Sequence, residues 1–261
     1  HNNYSYDSVN LSITVSSILR LKSQERDMFF RNNHDIKEIF VHCERKSGSF
    51  NGRDIANILW GVSKSGIKYE SIFSTFEPII ERDIATYSPR ELSTIIYAYA
   101  KAKIDSSLVF KAIETQISKK IKGFNSQDIS NMVWAYATVN YDSSIVFKEV
   151  EKQIPKIIHH FNSQELANTV WAYTTVNYDS SIVFKEVEKQ IPKIIHHFNS
   201  QDLANTVWAY ATVNYDSSIV FKEVEKQIPK IIHHFNSQDL ANTVWAYATV
   251  NYDSSIVFKE V

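Results

Sequence analysis

The sequence predicts an all-α fold, a right-handed solenoid of tandem helical hairpins, and three observations carry that prediction. A stretch reading FNSQDLANTVWAYATVNYDSSIVFKEVEKQIPKIIHH at 198–234 recurs almost letter for letter at 161–197. It returns at 124–160 with its first part altered, and again at 235–261, where the chain stops inside the unit. The spacing is 37 residues and is held without insertion or loss: Trp134, Trp171, Trp208 and Trp245 share one register, and stepping back lands on Tyr97 and then Trp60. A fixed period kept through divergence marks a stacked array whose units need their neighbours to bury their apolar faces. Finally, 44% hydrophobic and 13% aromatic residues supply a continuous core, while five glycines and five prolines are few for an all-β chain.

Residues 1–49 are irregular. Asn10 to Phe30 carries a helical apolar pattern, and Asp35 to Lys46 can be laid on the second helix of later units, with Ile36, Ile39 and Cys43 matching Phe73, Phe76 and Ile80. This segment reads as a degenerate N-terminal capping unit, its outer face made polar by Arg26, Arg31 and Lys37. Six repeats follow, at 50–86, 87–123, 124–160, 161–197, 198–234 and 235–261, the last one truncated. The missing initiator Met and the end inside a repeat lead us to expect a piece of a longer protein.

Within a repeat, the first helix is expected to open on a capping box, Asn162 with Glu165 or Ser88 with Glu91, the latter with Pro89 in the first helical position. It runs to about Val176. Asn177–Tyr178–Asp179 then forms a turn, and Asp179 is the expected N-cap of a second helix from Ser180 to about Gln190. Ile182, Val183, Val187 and Ile191 are its apolar positions, and Pro192 is expected to kink or break it before a last short turn over Lys193–His197. Pro78 occupies an earlier position in the repeat 50–86.

On the first helix, 100° per residue collects Leu166, Val170, Tyr173 and Thr174 on one broad face with Ala167 beside them. Trp171 reads as the margin of that face. If buried, its removal would cost about 3–5 kcal/mol, so Trp208→Ala is expected to lower thermal stability first. The remaining stripe is polar, with Gln164, Asn168 and Thr175 within about 40° of one another. Its rungs read Arg53, Asn57, Lys64; Arg90, Thr94, Lys101; Gln127, Asn131, Thr138; Gln164, Asn168, Thr175; Gln201, Asn205, Thr212; and Gln238, Asn242, Thr249. Arg and Lys bind phosphates, and amides pair with base edges as both donors and acceptors. If the first helices line an inner surface, these rungs would suit an RNA single strand. The same asparagines could instead be hydrogen-bonding spacers that lock neighbouring repeats, and Thr169 and Glu165, just off the stripe, could be the base readers.

The segment QELANTVWAY, with its relatives QDLANTVWAY, RDIANILWGV and RELSTIIYAY, resembles the core of the octotricopeptide repeat and, more closely, its 37-residue heptatricopeptide variant. The resemblance spans about residues 50–261 and departs from the pattern at Thr94, Tyr97 and Gly61. It implies sequence-guided binding of single-stranded RNA in a mitochondrion or plastid, in transcript maturation, stability, translation or ribosomal RNA assembly. Members are often followed by a RAP domain, which is not visible here, so no nuclease-like activity carries over. A modular reader assigns about one base to each repeat.

Other signals are weaker. The net charge of -1 does not announce a nucleic-acid partner. The pairs His159–His160, His196–His197 and His233–His234 lack a carboxylate or cysteine at ligand spacing and read as solvated. Tyr178, Tyr215 and Tyr252 read as packing over helix ends rather than stacking on bases. Cys43, the only cysteine, has no His or basic partner in the pattern and forms no intrachain disulfide. No membrane span, metal site, cofactor, small-molecule substrate or enzymatic activity is expected. The rival to RNA binding is a protein–protein scaffold, which helical hairpin arrays commonly provide.

Overall fold

In a computed structural model of the protein, residues 13–15, 17, 33–65 and 67–260 are described. Most of the helix expected over 10–30, with Arg26 and Arg31, lies outside them. All the regular elements among the described residues are helical: α1 (Asn33–Arg45), α2 (Gly52–Ser65), α3 (Ser71–Asp83), α4 (Pro89–Ala102), α5 (Ser107–Lys120), α6 (Ser126–Thr138), α7 (Ser144–Ile157), α8 (Ser163–Thr175), α9 (Ser181–Ile194), α10 (Ser200–Thr212), α11 (Ser218–Ile231), α12 (Ser237–Thr249) and α13 (Val257–Glu260). Contacts divide the chain into two compact blocks, His1–Lys120 and Ile121–Val261. Each is a stack of hairpins of the solenoid kind. In the N-terminal block the leading helices α2 and α4 pack together, as do the second helices α1, α3 and α5 in order. The C-terminal block repeats this with α6, α8, α10 and α12 leading and α7, α9, α11 and α13 behind. In both, the leading helices meet along much of their length and the second helices at fewer positions, so the leading layer is the tighter one. The segment 35–46, laid on the second-helix pattern, does form a second helix, α1, packed on α3.

Leading helices start as their sequence dictates. The Asn162 side chain accepts from the Glu165 amide at 2.9 Å while the Glu165 carboxylate accepts from the Asn162 amide at 3.0 Å. The same reciprocal box opens α4 at Ser88 and Glu91, and α6, α10 and α12 at their Asn–x–x–Asp pairs. The leading helices α4, α6, α8, α10 and α12 are followed by a residue with positive φ: Lys103 at 59°, and Asn140, Asn177, Asn214 and Asn251 at 52–54°. Asn tolerates this left-handed conformation because its short amide bonds locally; Lys has no such compensation.

Three details differ from the sequence expectation. The N-cap of α9 is Ser180 rather than Asp179: its hydroxyl accepts from the Val183 amide at 3.2 Å and donates to the Glu151 carboxylate of the preceding hairpin at 2.5 Å. An aspartate could cap but could not donate to Glu151, so the tertiary bond selects serine. Ser217 to Glu188 and Ser254 to Glu225 repeat the arrangement. Pro192 neither breaks nor ends α9, which continues to Ile194 before a 3-10 turn at Ile195–His197. The proline is exposed and close to the helix end, so the lost hydrogen bond lies at the solvent side. Ile182 is 48% exposed; the buried face of α9 is Val183, Phe184, Val187 and Ile191.

Between hairpins the recurring fastening is a tyrosine. Tyr173, Tyr210 and Tyr247 each donate from the phenol to the carbonyl of Phe147, Phe184 and Phe221 at 2.7 Å, and Tyr99 to Phe73 at 2.8 Å in the N-terminal block. The same pairs meet edge to face, with ring centroids 4.9–5.1 Å apart. Burial pushes these phenols well above their ordinary range, with nearby Glu77, Glu151, Glu188 and Glu225 adding to the shift. Tyr178, Tyr215 and Tyr252 pack as expected, stacked on Phe147, Phe184 and Phe221 at 5.8–6.0 Å.

Candidate functional site

The polar stripe is brought to the surface in both blocks. In the N-terminal block Arg53, Lys64, Arg90 and Lys101 are exposed, with Asn57 and Thr94 half-buried between them. In the C-terminal block Gln127, Gln164, Gln201 and Gln238 are exposed, as are Thr138, Thr175, Thr212 and Thr249, while Asn131, Asn168, Asn205 and Asn242 are half-buried. Among the described residues the stripe asparagines make no side-chain hydrogen bond to a neighbouring hairpin, and the tyrosine and serine bonds do the fastening instead. The two off-stripe candidates are not available as readers. Thr169 is fully buried and donates to the Glu165 carbonyl at 2.7 Å, and the Glu165 carboxylate is committed to its capping box.

Trp171 requires a correction. It is half-buried, and seven residues after Gln164 it falls about 20° from it and about 40° from Thr175, so its indole belongs to the polar stripe. Trp60, Tyr97, Trp134 and Trp208 are likewise half-buried, and Trp245 is 46% exposed. Each ring is thus partly covered and partly in water. The cost expected for a fully buried indole does not apply to Trp208. Apolarity suggested packing; the same angular arithmetic that defined the stripe was the signal that placed Trp171 on it.

The rungs differ in one further respect. Lys64 donates to the Tyr97 hydroxyl at 3.1 Å with its ammonium 5.1 Å from the ring centroid, a cation–π contact between successive hairpins. Threonine occupies the lysine position throughout the C-terminal block.

The remaining candidates are structural. The histidines of each pair are exposed with rings 4.0 Å apart, and among the described residues no group of three or more His, Cys, Asp or Glu could hold a metal ion. Cys43 is buried, and burial with the neighbouring Glu44 pushes its thiol up to about 12, which suppresses the thiolate. Among the described residues no helix is long and apolar enough to cross a membrane.

Stacked hairpins with solvent-facing cations in one block, and solvent-facing amides with partly exposed indoles in the other, define a helical-repeat protein. Residues 37–259 match the family model of the RNA-editing substrate-binding complex 6 protein, and the chain belongs to that family. Comparison with curated proteins gives no match.

Proposed function

We propose that the chain is an RNA-binding adaptor without catalysis of its own, and that the leading-helix stripe carries single-stranded RNA. The observation that carries this is the solvent-facing placement of Arg53 and Arg90 on adjoining leading helices of the N-terminal block, and of the glutamines on adjoining leading helices of the C-terminal block. The family's name points the same way, being that of an RNA-editing substrate-binding complex protein. The octotricopeptide-like core adds the finer part of the reading: a modular, organellar RNA binder, in a mitochondrion or plastid. Cationic rungs hold phosphates, and amide rungs meet base edges. Because the leading helices of the last repeats are nearly identical, a modular reader of this kind prefers a run of one base.

Salt dependence tests it. Log affinity for a single-stranded oligoribonucleotide should fall linearly with log salt, and Arg90→Glu should weaken binding without loss of helicity. Absence of RNA retention at low salt would move the reading to a protein scaffold. One observation favours that second reading: Ile145, Ile182 and Ile219 on the second helices, and Ile256 just before α13, share one register position and are 40–49% exposed. A row of large aliphatics in water suits a protein partner rather than a nucleic acid, and the two surfaces lie on different helices.

A further inference from the structure

Every tryptophan of the chain sits at one register position. The sequence holds five, and they are Trp60, Trp134, Trp171, Trp208 and Trp245. Core packing does not account for this by itself, because the fully buried aromatic positions of the same hairpins are filled by tyrosine and phenylalanine. The tryptophan position, like that of Asn168, is partly buried and partly in water, and it lies along the leading helix between an exposed Gln and an exposed Thr.

We propose that the indoles of Trp171, Trp208 and Trp245 are stacking platforms for unpaired bases of the bound RNA; this rests on the RNA reading above and names how bases, rather than phosphates, are held. The contrast between blocks supports it. Lys64 precedes Tyr97 by one hairpin, and its ammonium lies over that ring. Thr138, Thr175 and Thr212 hold that place relative to Trp171, Trp208 and Trp245, and their short side chains cannot reach across a ring as lysine does. The basic rungs of the N-terminal block supply phosphate contacts, and the uncharged rungs of the C-terminal block supply π-faces flanked by amides. Helices pack about 8–10 Å apart, whereas stacked bases rise about 3.4 Å, so bases on successive indoles must be splayed. That is the usual state of bases recognised in single strands.

Because all five tryptophans lie on the stripe, intrinsic indole emission of the intact chain reports this surface alone. The chain is titrated with oligo(A), oligo(U) and an abasic ribose-phosphate oligomer of equal length, with binding followed independently by anisotropy of a labelled strand. Base-bearing strands should quench the indoles, and the abasic strand should bind more weakly without quenching. Trp171→Leu and Trp208→Leu should each lower affinity for base-bearing strands by about fivefold or more, and leave the abasic strand unaffected. Trp171→Phe, which keeps a π-face, should retain most of the affinity and shows that the fold tolerates the site. Bound RNA with unchanged emission, or equal affinity for abasic and base-bearing strands, overturns the stacking proposal while leaving RNA binding intact. No binding of any strand at low salt overturns both.

Discussion

The two blocks are built on one frame and finished differently. Both use the Tyr–Phe carbonyl bond, at 2.8 Å in the N-terminal block and 2.7 Å in the C-terminal one. The C-terminal block then repeats the locally favourable choice at each position: Phe124, Phe161, Phe198 and Phe235 before the leading helix, Asn140, Asn177, Asn214 and Asn251 in the left-handed turn, threonine beside the indole. The N-terminal block keeps Phe50 and departs at other copies of those positions. Tyr87 replaces phenylalanine and buries a hydroxyl with no hydrogen-bond partner among the described residues, Lys103 replaces asparagine at φ 59°, and Lys64 and Lys101 replace threonine. Two of the three changes add a cation. Of the 28 Lys and Arg residues, 17 lie in 1–120 against 14 of the 29 Asp and Glu, so this block is net positive and the other net negative. The near-neutral total therefore conceals a division of charge: local backbone and burial preferences have been relaxed where positive groups gather.

The shared frame should fail first at high pH. A phenol near pH 10 in the unfolded chain is raised in Tyr99, Tyr173, Tyr210 and Tyr247 by burial. A raised folded value favours the protonated native form. Their contribution is therefore complete below about pH 10 and is lost as pH climbs through the folded values. Tyrosinate absorbance and helicity should change together above that point, and phenols titrating normally with helicity intact would show that the bonds are dispensable.

The difference in charge should appear next, in RNA binding. The double variant Arg53→Glu/Arg90→Glu should weaken affinity at least tenfold and flatten the salt slope by about 0.7 for each lost phosphate contact. Gln164→Ala/Gln201→Ala should leave the slope unchanged and reduce discrimination among homopolymers. Equal slopes in the two double variants would erase the proposed division of labour.

Tyr87→Phe should stabilise by about 1–2 kcal/mol in chemical denaturation, since it removes a buried hydroxyl that has no partner among the described residues and installs the residue the later repeats use. A loss of stability would mean the hydroxyl is served in solution. The smallest effect is expected at the turn: Lys103→Asn should raise stability by about 0.5–1 kcal/mol, and Asn177→Lys should lower it by a similar amount.

What could be read from the chain follows how local each interaction is. Capping boxes and left-handed asparagines are decided within three or four residues, and Asn162, Ser88 and Asn177 behave as their identities require. The period alone placed the hairpins. Ser180 was missed because its second bond reaches Glu151, 29 residues away, which no local pattern contains. Ile182 fits the apolar spacing of α9, yet the face that meets the neighbouring hairpins is set by Val183, Phe184, Val187 and Ile191. The stripe was legible from angles, yet Trp171 was withheld from it by its chemistry, and the lysine over Tyr97 depends on a helix one repeat away.

The tyrosine and serine bonds have a genetic corollary. Each runs from one hairpin to the hairpin before it and to none further off, so a duplicated 37-residue period finds its docking site already built in the copy it follows. A repeat can therefore be added or removed without a compensating change elsewhere, and the near-identity of the last copies suits such a row.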